Sequence, residues 1–208
     1  QTLHVTKQGS IERCREEIEK LLYNSPKPSV GLKLLAEAGI LELFIPELLE
    51  GVSMMQPQYH VDDVFTHTVK TVDEAEDVVK LAALFHDIAK PRCYLKDEKG
   101  VHFYGHDLMG AEMTKLILKR LKFSNAEIEE TSRLVRWHMF YYPSVNWREE
   151  KEGKRNVSES LLKEWKDEIE NNREKNIHGW SDAAIRRLII NVGGEEAIEK
   201  LMKLRIAD

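Results

Sequence analysis

The chain has 208 residues, with 42 % hydrophobic and 32 % charged side chains, 11 glycines, 6 prolines and a formal net charge of −5. That length fills one large domain or two small ones and buries a core unaided by disulfides. The composition excludes a disordered, collagen-like or low-complexity chain, and the acidic balance excludes a global basic field, so any RNA contact must be local. No apolar run approaches about 18 residues, so no membrane span is expected, and no basic-then-apolar leader opens the chain. The two cysteines, Cys14 and Cys93, form no disulfide framework, which fits a reducing cytoplasm. The first residue is Gln1 rather than Met, which reads as an excised piece of a longer protein.

In chain order the pattern is helical nearly throughout. Ser10 caps a helix over residues 10–23, with Glu12, Glu16 and Glu17 in its first turns and Ile11, Ile18, Leu21 and Leu22 on one face. Pro26 and Pro28 end it. Residues 31–38 form a second helix stopped at Gly39. Residues 40–49 form a third, interrupted at Pro46, and residues 51–57 a loop. Helices follow over 61–71 and 74–85. Residues 91–105, charged and aromatic around Gly100, make a connector with room for a short hairpin. Residues 108–121 are helical, and Ser124 and Asn125 cap a helix ending about Trp137. A polar loop (142–156) and a long polar helix (158–175) come next. Ser181 caps a helix to Ile190, and Gly193 and Gly194 separate it from the last helix, 195–204. No strand alternation and no internal repeat stand out. The expected fold is an all-α bundle.

Eight histidines are present, most of them between His60 and His138. His86 and Asp87 close an apolar helical run, LAALFHDIAKP (81–91). Neighbouring helical residues point about 100° apart, yet two short side chains at a helix end can converge on one cation. An unpaired Asp beside Leu81, Ala82, Leu84 and Phe85 is costly to bury, and a metal removes that cost. Imidazole nitrogen with carboxylate oxygen suits Mn, Fe, Ni, Zn or Mg rather than a thiolate site. His67, on the preceding helix, faces His86 if the two helices run antiparallel. Asp63 and His60 share its face as partners that orient it. Alone, the pair His86–Asp87 equally fits a helix-end histidine beside a solvated carboxylate.

The order His67, His86–Asp87 and a late Asp resembles the HD superfamily of metal-dependent phosphohydrolases, and HDIAK (86–90) resembles its extended HDxxK form. PQYHVDDVFTHTV (57–69), LAALFHDIAKP (81–91), FYGHDLMGAE (103–112) and RLVRWHM (133–139) look like the HD domain of bacterial CCA-adding enzymes and their poly(A) polymerase relatives. The run over residues 10–48 is similar to that family's small helical RNA-binding segment, and residues 181–208 to its final helices. The resemblance implies metal ligands His67, His86, Asp87 and Asp208. His106 and His138 then hold a second ion with Asp87 bridging, or contact the substrate phosphate. Lys90 becomes a phosphate clamp, and Asp87, Lys90, His106 and His138 the catalytic set. The implied cofactor is one or two divalent ions (Mn, Ni, Fe, Co, Mg or Zn).

This reading divides the chain into a helical RNA-binding-like segment, residues 1–52, and an HD domain, residues 53–208. The implied function is hydrolysis of nucleotide or RNA phosphoesters such as 2′,3′-cyclic phosphates, in a cytoplasmic protein, with tRNA as a further partner and no membrane. A second reading is the RNA-binding body of a tRNA nucleotidyltransferase with a structural or vestigial metal site. A third is a free-standing HD hydrolase of nucleotides or dinucleoside polyphosphates. Residues 10–50 carry more acidic than basic side chains, which supports only a weak RNA grip. The family's nucleotidyl-transfer head, with its Gly-Gly loop and paired Asp, has no counterpart. Gly193 and Gly194 lack carboxylates beside them, and the adjacent Asp62 and Asp63 aim apart. The head is expected upstream of Gln1. Arg133, Arg136, Arg186 and Arg187 are suited to salt bridges more than to phosphate. Cys93 reads as an inert thiol, and Trp137, Trp147, Trp165 and Trp180 as core or rim. The oligomeric state has no signature in the sequence.

Overall fold

The computed structural model of the chain describes residues 11–56, 61–98, 100–139 and 182–208. The expectations for His4, His60, His178, Trp147, Trp165, Trp180, the polar loop 142–156, the helix 158–175 and the Ser181 cap lie outside the described residues. Nine α-helices occur among the described residues: α1 Ile11–Asn24, α2 Pro28–Glu37, α3 Pro46–Leu49, α4 Val64–Glu74, α5 Lys80–Phe85, α6 His106–Arg120, α7 Asn125–Trp137, α8 Asp182–Val192 and α9 Glu195–Ala207. Three 3-10 turns (Leu41–Leu43, Asp77–Val79, Lys90–Cys93) and one antiparallel hairpin, β1 Leu95–Asp97 with β2 Gly100–His102, complete them. The fold is all-α, as the periodicity and the resemblance imply. None of the described helices is long and apolar enough to cross a membrane.

The boundaries that differ from expectation have local causes. Helix α2 begins three residues before Gly31, because Pro28 has the fixed φ that suits a first helical position. The Ser29 amide and hydroxyl both bond the Asp73 carboxylate, at 2.8 and 2.5 Å, and tie the start of α2 to α4. Helix α4 begins at Val64 rather than Val61, because the Asp63 side chain accepts the Thr66 amide at 2.6 Å as an N-cap. The expected helix over 74–85 is broken. Ala75 and Glu76 are extended, so Glu74 ends α4 and a 3-10 turn leads into the six-residue α5. Gly105, at φ 76°, turns the chain into α6 two residues earlier than expected. Ser124 caps α7 as expected, within a reciprocal capping box with Glu127.

Helices α4 and α5 pack together, as do α6 and α7, and α9 lies against α4, α5 and α7. One core runs from Ile18, Leu22 and Leu32 through Leu41 and Ile45 to Phe85, Ile117, Leu134 and Leu201. The first three helices therefore share apolar contacts with the rest. On the surface, Arg120 of α6 grips Glu47 of α3 with two bonds of 2.8 and 2.7 Å and also reaches the Phe44 carbonyl at 3.1 Å. Burial pushes the Glu47 carboxyl up, but the Arg120 hydrogen bonds, a backbone hydrogen bond and the Arg120 and Arg92 charges together outweigh it and hold the group below its usual range. A carboxyl lowered in the folded state stabilises above its unfolded value, and that contribution is lost as pH falls through the lowered value. Arg120→Ala is expected to cost about 1 kcal/mol near neutral pH, since Arg120 is half-exposed and screened. In urea unfolding, the wild type and the variant should converge as the pH falls below the carboxylate range.

Candidate metal centre

Four imidazoles turn inward around one carboxylate. His67 comes from the second turn of α4, and His86 and Asp87 directly follow α5. His106 opens α6, His138 follows α7, and Asp208 caps the end of α9. His86, Asp87 and His138 are essentially buried, with His67 and His106 nearly so. Asp208 is half-buried. The separations are those of a coordination cluster. His67 Nε2 lies 3.0 Å from Asp208 Oδ1 and 3.5 Å from Asp87 Oδ2. His86 Nε2 lies 3.1 Å from Asp87 Oδ2 and 3.3 Å from Asp208 Oδ1. On the other side of the carboxylate, Asp87 Oδ1 stands 3.5 Å from His106 Nε2 and 3.6 Å from His138 Nε2. Two groups result, His67, His86, Asp87 and Asp208, and Asp87, His106 and His138. Within each, one ligand atom per residue falls within 4.8 Å of all the others.

The backbone sets the ring orientations. Nδ1 of His86, His106 and His138 each lies 2.7 Å from the carbonyl three residues earlier, at Ala83, Phe103 and Val135. A carbonyl only accepts, so Nδ1 carries the proton, and Nε2 of a neutral ring presents its lone pair to the centre. His106 Nε2 and His138 Nε2 face each other at 3.2 Å. Burial lowers the His106 imidazole further than the Asp87 charge raises it, and it stays below its ordinary value. Two facing nitrogen lone pairs beside a carboxylate oxygen call for a cation.

The other group carries the same demand. Asp87 Oδ2 is buried with no hydrogen-bond donor aligned on it among the described residues, although Lys90 Nζ approaches to 2.6 Å. Burial pushes the Asp87 carboxyl up, but the His86 charge, the hydrogen bonds with His138 and His86 and the Lys90 charge together outweigh it and hold the group well below its usual range. Asp208 is likewise held low against burial, by the hydrogen bonds from His67 and His86. Burial disfavours the His86 imidazolium, yet the Asp87 and Asp208 carboxylates push the ring up to about 10. Without metal, a proton on His86 supplies the positive charge these carboxylates require. A divalent cation suits the same donors, and the mixed nitrogen and oxygen set fits Mn, Fe, Co, Ni, Zn or Mg.

All six expected ligands are thus brought together, with Lys90 beside them. Lys90 is buried, and its ammonium spans Asp87 and the Gln56 Oε1 at 2.6 Å. Gln56 escapes sequence reading, because a glutamine in a loop carries no periodic or charge signal. Its placement depends on the loop 51–56 being laced to α4 through Ser53 N to Asp63 Oδ2, at 2.7 Å, and Val64 N to the Met54 carbonyl, at 3.0 Å. Arg205 also escapes: it holds Asp208 Oδ2 at 2.6 Å and turns Oδ1 toward the histidines.

Asp63 does not orient His67. Its two carboxylate oxygens are taken by the Thr66 and Ser53 amides, because the N-cap position aims a short side chain back over its own helix. The neighbouring Asp62 pairs instead with Lys70 at 2.6 Å. Among the candidate arginines, Arg136 pairs with Asp107, Arg133 reaches the Val192 carbonyl and Arg187 the Ala183 carbonyl. Cys93 Sγ rests 3.7 Å from Met109 Sδ. Trp137 packs against the core under the Arg136 guanidinium.

A helical bundle that joins a His–Asp pair at one helix end to histidines from three other helices is an HD-type metal-binding domain. The chain belongs to the HD domain family, whose profile matches residues 54–180. The profile described as the probable RNA and SrmB-binding site of polymerase A matches residues 3–51. Domains of this family bind divalent metals, and the two clusters are where this chain would hold them. Among curated proteins, the chain is similar to an A-adding tRNA nucleotidyltransferase of Deinococcus radiodurans, 38 % identical over 142 residues, covering 64 % of this chain and 32 % of the relative. A CC-adding tRNA nucleotidyltransferase of Thermus thermophilus is 36 % identical over 141 residues, covering 64 % of this chain and 32 % of that one. A multifunctional CCA protein of Pasteurella multocida is 28 % identical over 153 residues, covering 68 % of this chain and 36 % of the relative. The chain spans about a third of the length of these relatives. It is therefore an HD domain preceded by a segment that matches the RNA-binding profile, and it is similar to part of these tRNA nucleotidyltransferases.

Proposed function

We propose that the clustered residues form a metal-dependent phosphohydrolase site acting on nucleotide or RNA phosphoesters such as 2′,3′-cyclic phosphates, within a tRNA nucleotidyltransferase-like protein. The observation that carries this reading is the division of Asp87, with one oxygen toward His67 and His86 and the other toward His106 and His138. A carboxylate so placed suits two ions, the first held by His67, His86, Asp87 and Asp208 and the second by Asp87, His106 and His138. Divalent ions there supply a lowered water pKa and a polarised phosphoryl oxygen. The protein supplies the rest. The Nδ1 bonds hold three rings in register, and burial strengthens every charge interaction at the centre. Lys90 offers its ammonium to a phosphoryl oxygen and offsets charge developing on phosphorus. Gln56 is a positioning residue that keeps Lys90 turned toward the cluster. Residues 1–52 act as the RNA-binding module and 53–208 as the hydrolytic one.

The test is turnover of 2′,3′-cAMP and bis(p-nitrophenyl) phosphate by protein loaded with Mn, Ni, Co or Mg. Activity lost in His86→Ala is expected; no turnover with any of these ions sinks the reading. Gln56→Leu is expected to lower turnover about 10–100-fold with metal content unchanged by elemental analysis. An unaffected rate would remove Gln56 from the site.

The match of residues 3–51 to an RNA-binding profile favours a second reading. Here the chain grips tRNA for a nucleotidyltransferase, and its metal cluster is structural. Filter binding of tRNA at two salt concentrations tests it, because a grip on phosphates weakens steeply with salt.

A further inference from the structure

The hairpin beside the cluster carries an aromatic arrangement that phosphoryl chemistry alone does not use. Residues 103–105 lead from β2 straight into His106 at the start of α6. His102 Nε2 lies 3.1 Å from Asp97 Oδ1 across the hairpin, which pins its ring. Tyr104 stacks on that ring with centroids 5.0 Å apart and planes 13° from parallel. Tyr104 is nevertheless 70 % exposed, so the face turned away from His102 is open to solvent. In the same hairpin region Tyr94 meets Phe103 edge to face at 6.1 Å, and Lys90 Nζ stands 5.7 Å from the Phe103 ring centre. The Phe103 carbonyl accepts the His106 Nδ1 proton.

One exposed tyrosine is ordinary. This one is held flat by an imidazole that a carboxylate fixes in turn, and such pre-arrangement adds little to folding, because the pair buries little area. Its place is the informative part. Tyr104 is two residues from His106, a span of at most about 7 Å along the chain. Its neighbour Phe103 is in contact with the cluster twice, through its ring, 5.7 Å from Lys90 Nζ, and through its carbonyl, 2.7 Å from His106 Nδ1. A nucleotide carries its base several ångströms from its phosphoryl group, a length comparable with this span, so a phosphoryl group at Lys90 and His106 leaves the base at the distance of Tyr104.

We propose that Tyr104, backed by His102, is a stacking platform for the nucleobase of the phosphoester bound at the metal cluster. The proposal rests on the phosphohydrolase reading for what binds at the cluster, and it adds the group that is recognised there. Stacking uses the π-face that every base has, so the platform selects nucleotides over base-free phosphates without reading one base strictly. Purines, with the larger face, are held more tightly than pyrimidines.

Isothermal titration of the Mn-loaded chain with adenosine 2′-monophosphate and with ribose 5-phosphate tests this. The nucleotide is expected to bind more tightly than the sugar phosphate. Tyr104→Ala should weaken the nucleotide about tenfold and leave ribose 5-phosphate unchanged, while Tyr104→Phe keeps the wild-type value. His102→Ala, which frees the ring without removing it, should give a smaller loss. Equal affinity for the two ligands in the wild type, or an equal effect of Tyr104→Ala on both, overturns the platform. Turnover of 2′,3′-cAMP separates the two proposals. Tyr104-dependent nucleotide binding without turnover leaves the platform standing and removes the hydrolase. Turnover with an unchanged KM in Tyr104→Ala removes the platform alone.

Discussion

Asp87→Asn is expected to empty both halves of the metal cluster in one substitution. Its two oxygens face different groups of histidines, and among the described residues it alone belongs to both groups. The amide that replaces the carboxylate carries no charge, and its NH2 donates to imidazole lone pairs that would otherwise face the cation. Lys90 and the His86 ring lose the anion that compensates them in a buried place. Phosphoester turnover should fall at least 100-fold, beyond the 10–100-fold that a supporting residue costs. Elemental analysis and equilibrium dialysis against Mn check the metal directly. Asp208→Asn and His138→Ala serve as the contrast, each expected to weaken one group and spare the other. If Asp87→Asn kept a full complement of ion, the carboxylate would not be the bridge that its geometry suggests.

Phe85→Ala is expected to be the most destabilising single change outside the cluster. Phe85 is fully buried, and it precedes His86 in the chain. Truncating a buried phenylalanine leaves a cavity that the surrounding helices fill only in part, at a cost of about 3–5 kcal/mol. Against the total stability of an ordinary domain, roughly 5–15 kcal/mol, that loss is large. Urea unfolding with a reduced midpoint and an unchanged slope is the signature. Metal affinity should fall as well, since the Ala83 carbonyl that sets the His86 ring lies in the same short helix. A variant as stable as wild type would mean that the core collapses readily around this position.

The bundle was legible because its helices carry apolar residues at helical spacing and their ends carry recognisable caps, of which Ser124 with Glu127 is the clearest. The ends that moved are where a local feature outweighed periodicity: the fixed φ of Pro28, the Asp63 side-chain cap before Val64 and the left-handed Gly105 before His106. The break at Ala75 and Glu76 has no such marker, since nothing in those two side chains forbids a continuous helix. Of the cluster, His86 and Asp87 announce themselves by adjacency after an apolar run. His67 follows from its place on the preceding helix if the two helices run antiparallel, whereas His106, His138 and Asp208 were identifiable through family resemblance, because spacing says nothing about contacts between distant helices. Gln56 and Arg205 needed the fold itself. Their roles depend on a loop crossing and on a helix end, neither of which leaves a pattern in sequence. Asp63 misled for the opposite reason: its position on the His67 face was right, but a capping duty had first claim on its carboxylate.

The bond between His67 and Asp208 joins residues 141 positions apart. In the unfolded chain those two groups meet only at the entropic cost of closing a very long loop, so a cation that needs both binds the folded form almost exclusively. Its binding energy is then added to folding. With an ion bound, the cluster would double as a latch that fastens α9 to α4, and metal supply would then set how firmly α9 stays closed against α4.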